Sequence, residues 1–384
     1  MSNRAKRRFL SFVAILVSAV VCVSLRLYQG RESSEPASSP QLAMNRRPQQ
    51  PTPVISSRDS TKTEFKSLNQ LLSAANATEA HDAWREAKKE LLNHRDSATS
   101  HAVLKSALES GNDHALDAPL QVSVGGELKA APSTRVYALD LLAQLDSAEA
   151  AEYSKIIFES STSSDEWAIA LRNYAWGTDN AAEDPLLRGK VYELLTNAAW
   201  ASQPTSGFLE SFDFVPYTQD PVLVAPLVSL TKSERPDNVR RAAFLALARL
   251  HSQDTTIGLQ GVSEAEALEP FSPVRADAMS RADFTRPADV EMVRSYLLSG
   301  SVDSKEFAIF AEAFPQGGQF AGPALATTFQ PLRFSTLARR DARALSIVRE
   351  WMQDSSFEAR RKELSQIYDT LVRLNESAVA GGYL

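Results

Sequence analysis

The chain reads as an all-α protein, a helical-repeat solenoid preceded by an N-terminal transmembrane helix and a disordered stalk. Three observations carry that reading. An uncharged apolar run from Phe9 to Leu25 follows a basic N-terminus. From Phe65 onward, apolar residues recur at three- and four-residue spacing, the period of a helix with one buried face. One amphipathic segment is restated at intervals close to 35 residues.

The apolar run comes first. Its 17 residues would make a helix roughly 26 Å long, the lower limit for spanning a bilayer. Arg8 and Arg26 flank it and can extend their charges to the two surfaces. Arg4, Lys6, Arg7 and Arg8 precede the run, so residues 1–8 are expected to stay cytoplasmic. Residues 9–25 then act as a signal-anchor, and the bulk of the chain crosses to the periplasm of a bacterial inner membrane. Two alternatives stay open. A cleaved signal peptide would leave the protein secreted or periplasmic, although Cys22-Val23-Ser24 is a poor small-x-small site. A lipoprotein would use Cys22, but Val21 stands where a small residue is wanted.

Composition bounds the exported part. All six charged residues among the first 31 are basic, so the remainder carries a net charge of about −12 against −6 for the whole chain. Such a surface repels phosphate backbones, and no nucleic-acid partner is expected. Cys22 is the only cysteine and lies within the apolar run. The exported part therefore has no disulfide, thiolate metal site or c-type haem attachment, and no cofactor is assigned. With 43% hydrophobic residues it can stabilise itself by core burial.

Residues 26–63 are rich in Ser, Pro, Gln and Arg and too poor in apolar residues to offset the entropy of ordering, so they read as a flexible stalk. Residues 64–115 read as helical hairpins, carried by Phe65, Leu68, Leu71 and Leu72 and then by Ala83, Trp84, Ala87 and Leu91. Residues 116–132, with Pro119, Gly125 and Gly126, read as a loop; the alternative is a short hairpin arm around Leu120 to Gly126. Residues 133–384 read as helix after helix. Within them, Leu186 to Pro226 fits the repeat poorly, and its Trp200, Phe208, Phe212, Phe214 and Tyr217 suggest an irregular helix pair or an aromatic loop.

The repeat is clearest at Asn238 to Leu250, opened by Pro236-Asp237. Thirty-five residues later, Ser272 to Met279 restates the opening, with Val274 on Val239, Arg275 on Arg240 and Ala278 on Ala243. Thr134 to Leu145 aligns 105 residues upstream, and weaker echoes lie at Asp165 to Ile169 and Lys305 to Ile309. The Pro-x-x-Val-Arg-x-Ala-Ala opening at 236–243 resembles HEAT-repeat α-solenoids, most clearly over 236–285. The resemblance implies paired antiparallel helices brought close by small alanines, with the arginine tying neighbouring repeats together. Packing physics agrees that bulk at Ala138, Ala243 or Ala278 would hold two helices apart. An ordinary non-repetitive helical domain is the competing reading.

No motif for chemistry stands out. His81, His94, His101 and His114 cluster early, and with Asp82, Asp96 or Asp113 they could build a zinc site. Their spacings match no compact ligand motif, so no metal residue is assigned. There is no Gly-x-Ser-x-Gly elbow and no phosphate loop, and Gly317 to Pro323 reads as a turn between repeats. Carboxylate pairs are plentiful but undistinguished, so no catalytic residue is assigned and the chain is read as a non-enzyme. The candidate partner-binding residues are Arg240, Arg275, Arg339, Arg340 and Arg343, with Trp200 and Phe212 as possible aromatic anchors. These features predict a membrane-anchored scaffold or adaptor that binds another envelope protein through its helical surface. The alternatives are an envelope hydrolase with an unrecognised site and a self-associating structural protein.

Overall fold

The computed structural model describes residues 66–93, 98–267, 269, 271–315, 322–328 and 332–384. The expected tail, membrane anchor and stalk, as well as His94, Asp96 and most of the Gly317 to Pro323 turn, lie outside the described residues. Among the described residues no helix is long and apolar enough to cross a membrane.

The architecture is mostly helical, as the sequence predicts at that level. Helices α1 (Lys66–Leu72), α2 (Ala77–Asn93) and α3 (Ala98–Glu109) come first. A small antiparallel hairpin follows, β1 (Gln121–Val122) with β2 (Leu128–Ala130). Then come α4 (Thr134–Leu145), α5 (Ser147–Ser160), α6 (Ser164–Gly177) and α7 (Pro185–Thr196). Four short helices cover the irregular stretch: α8 (Ala198–Ser202), α9 (Ser206–Glu210), α10 (Phe214–Thr218) and α11 (Val224–Ser229). The remainder is α12 (Asp237–Gln253), α13 (Thr255–Ala265), α14 (Pro273–Ser280), α15 (Pro287–Leu298), α16 (Ser304–Ala313), α17 (Phe334–Gln353) and α18 (Arg361–Ala380).

Local chemistry explains where these helices begin. Ser133, Asp146, Ser163, Asp254, Ser272 and Asp303 each accept a hydrogen bond from a backbone N–H of the first turn of α4, α5, α6, α13, α14 and α16. Pro185, Pro273 and Pro287 open α7, α14 and α15, where a missing N–H costs nothing. The segment expected as a loop carries the hairpin at its centre, with Gln121 opposite Ala130 and Val122 opposite Leu128. Its tip needs Gly126, which has φ +83° and where a side chain would run into the carbonyl of Leu325.

Packing follows chain order. Besides touching its neighbour, a helix often packs on the one two places along: α2 on α4, α4 on α6, α10 on α12, α11 on α13, α13 on α15, α14 on α16 and α16 on α18. The alanines at the aligned positions, Ala138, Ala243 and Ala278, are fully buried. The most extensive pairing among the described residues joins α5 to α6, where Phe158 meets Trp167 edge-on at 5.2 Å. Burying Ile157, Ile169 and such rings contributes about 1.5–3 kcal/mol per side chain. One apolar core runs without interruption from Leu68 to Leu371.

Candidate functional site

Arginines near helix starts organise the polar interior. Arg275, on the first turn of α14, donates from Nε and Nη2 to the two carboxylate oxygens of Glu306 at 2.8 and 2.7 Å. Its guanidinium also donates to the carbonyls of Glu266 and Glu269, just past the end of α13. Glu306 in turn accepts from the backbone N–H of Ser272 at 2.9 Å. One side chain thus joins α13, α14 and α16. Arg135 on α4 does the same for the earlier helices. Its Nε lies 2.9 Å from Glu166 on α6, and its Nη1 donates to the carbonyl of Leu108 near the end of α3. In both ties the glutamate follows its arginine by 31 residues.

Two further arginines are buried with acidic partners. Arg172 on α6 pairs with Asp140 on α4 at 2.9 Å, both fully buried, and donates to the carbonyl of Gly126. Arg249 on α12 pairs with Asp213 at 2.8 Å and also reaches the carbonyl of Pro323. Asp213 accepts from the N–H groups of Ala326 and Thr327 and from the Thr327 hydroxyl, while Glu210 accepts from Ala324. Residues 322–328 are thereby fastened onto α9 and α12, with Leu325 fully buried beside Gly126. Most of these bonds go to main-chain atoms.

The candidate binding residues fall into three groups. Arg275 and Phe212 are buried and engaged inside the fold. Arg240 is half-buried at the start of α12 and pairs with Asp237 on its own helix, and Trp200 is half-buried, edge-on to Trp167 at 5.2 Å with its Nε1 donating to the Thr162 carbonyl. Only Arg339, Arg340 and Arg343 share an element, α17. Arg339 and Arg343 are exposed and, among the described residues, have no carboxylate partner. Arg340 turns inward and meets Asp283 at 2.5 Å.

Beside Arg340 the surface dips into a shallow cleft with about 20 Å³ of room, space for a water or two. Arg281, Phe284, Phe314, Pro315, Leu337 and Asp341 line it. Burial pushes the Asp341 carboxyl up to about 7, with Arg340 opposing. The arrangement combines two outward cations, a third held by Asp283, and a carboxyl that titrates near neutrality. It suits contact with an acidic surface. Asp283 and Phe284 are consecutive between α14 and α15, Phe314 follows α16 and Asp341 lies on α17, so no spacing in the sequence marks these three places as neighbours.

No family model matches the chain, and no curated protein or solved structure matches it significantly.

Proposed function

We propose that the chain is a membrane-anchored extracytoplasmic scaffold or adaptor, which binds an acidic surface of another envelope protein through a HEAT-like helical-repeat face. The observation that carries this reading is the pair Arg339 and Arg343, a turn apart on α17 and exposed without carboxylate partners among the described residues. They stand on an exported part with a net charge of about −12. Arg135, Arg172, Arg249 and Arg275 are spent in largely buried pairs, whereas Arg339 and Arg343 lie side by side at the surface beside Arg340, a local positive patch that can attract an acidic partner and set its orientation. The repeat reading draws support from the neighbour-to-next-neighbour packing and from the two arginine ties, since a solenoid repeat is stabilised by contacts with adjacent repeats.

The test is capture of partners from detergent-solubilised envelope with the full chain and with the Arg339→Glu, Arg343→Glu double variant. The wild-type chain should return a specific acidic protein that the charge-reversed chain loses. Identical recovery by both would refute the arginine face. Fusion of alkaline phosphatase to the C-terminus tests the placement: activity in intact cells is expected, and inactivity contradicts it.

The Asp341 carboxyl, raised to about 7 in a cleft beside an arginine, favours a second reading as an envelope hydrolase with Asp341 as proton donor or acceptor. Activity against glycan or peptide substrates that disappears in Asp341→Asn would establish it.

A further inference from the structure

We propose that His101, Asp146 and Glu149 form a binding site for a divalent transition-metal ion of the zinc type. His101 sits on α3, Asp146 caps the N-terminus of α5 and Glu149 lies in the first turn of α5. The fold brings one potential ligand atom from each to within 4.8 Å of the others, and all three side chains are half-buried. His101 Nδ1 is already 2.9 Å from Glu149 Oε2. The sequence pointed to His101 but offered only other aspartates as partners. These two carboxylates lie dozens of residues downstream and approach only because α3 and α5 both pack on α4.

The chemistry of the set fits a borderline cation. One imidazole nitrogen with two carboxylate oxygens suits zinc better than calcium, which prefers oxygen alone. Zinc bound at about 2.1 Å would bring its ligands to roughly 3.4 Å from one another, a closure that side-chain rotation can supply. Asp146 is already oriented: its Oδ1 accepts from the N–H groups of Ala148 and Glu149, both at 2.9 Å. A fixed carboxylate of this kind is what metal sites obtain from their outer hydrogen bonds. Asp146 has no cationic partner among the ion pairs of the described residues. Two groups oppose the metal. Lys105 Nζ lies 3.7 Å from Glu149 Oε1, and the start of α5 carries the positive end of its helix dipole. Against them stand two carboxylates and an imidazole nitrogen.

The site predicts its own perturbations. Calorimetric titration of the detergent-solubilised full chain with zinc chloride should show one site per chain, with manganese weaker and calcium silent. His101→Ala and Glu149→Gln should each weaken zinc binding at least about tenfold, with far-UV circular dichroism unchanged. Lys105→Met removes the competing charge and should tighten binding about tenfold. Zinc should also raise the thermal midpoint of the wild-type chain and leave that of Glu149→Gln unmoved. Absence of zinc uptake, uptake indifferent to both ligand variants, or preference for calcium would each overturn the assignment.

Discussion

The α4–α6 region and the α14–α16 region use the same device with different settings. In each, an arginine at the start of one helix reaches the glutamate 31 residues on and caps a carbonyl at the end of the preceding helix. Around Arg135 the tie is partly open to water, with its side chain 14% exposed and one nitrogen on Glu166. Around Arg275 it is closed, with the arginine 3% exposed, both glutamate oxygens engaged and a second carbonyl added. The helices around them differ in the opposite sense. The middle helix α5 is packed extensively on α6, whereas α15 rests chiefly on α13. Apolar packing holds the first region and leaves its ion pair a minor contributor. In the second the middle helix adds little packing of its own, so the ion pair matters more.

Breaking the closed tie should have the largest effect. Arg275→Ala strands Glu306 as an unpaired charge in the core and should cost about 3–5 kcal/mol, read as a shift in the chemical denaturation midpoint. Replacing both partners, Arg275→Met with Glu306→Leu, should recover most of that loss, because the penalty lies in the uncompensated charge. A double variant as unstable as the single one would mean that the tie supplies geometry as well as charge balance.

Acid should act first next to the same region, on α12. His251 on α12 is fully buried, burial together with nearby Arg281 lowers its pKa to about 4, and the ring leaves no room for a side chain at Gly258. Its folded pKa lies below the unfolded value of 6.5, so the unfolded chain takes up the proton first. The stability it contributes is complete above pH 6.5 and is lost as pH falls toward 4, by about 3 kcal/mol in all. Hydrogen exchange at mildly acidic pH should therefore show α12–α14 losing protection while α4–α6 retains it. Uniform loss across both regions would argue that they unfold as a single unit.

Most of the helices could be read from the sequence, because apolar spacing and capping residues are local signals. Ser272 and Asp303 announce α14 and α16 as clearly as any periodicity does. The repeat alignment also placed Arg275, together with Glu306 in a separate echo, although nothing local says that the two touch. Cross-helix groupings left no such trace. Asp341 meets Phe284 and Phe314 only through folding, and His101 meets Glu149 in the same way. The hairpin at 121–130 was ambiguous for a related reason. Two strands of two and three residues lack the length for a visible alternation, and Leu325, which packs behind the tip at Gly126, lies nearly 200 residues away.

The open tie should be cheaper to cut. Arg135→Ala removes a partly hydrated pair and one cap, which should cost about 1–2 kcal/mol. If the loss equals that of Arg275→Ala, burial does not distinguish the two regions.

The smallest effect should come from Asp341, at the edge of the second region. Its carboxyl holds a proton up to about pH 7 in the folded chain but only to about 3.8 when unfolded. The stability gained from that raised pKa is complete below about pH 4 and is lost as pH rises through 7, the reverse of His251. Asp341 is only half-buried, so water reaching the ionised carboxylate offsets much of the penalty. Asp341→Asn should therefore gain about 1 kcal/mol of stability at pH 8 relative to its effect near about pH 3.5, where the carboxyl is largely neutral in both states. Melting curves at the two pH values decide the point. A gain of equal size at both would mean that the side chain matters for its packing.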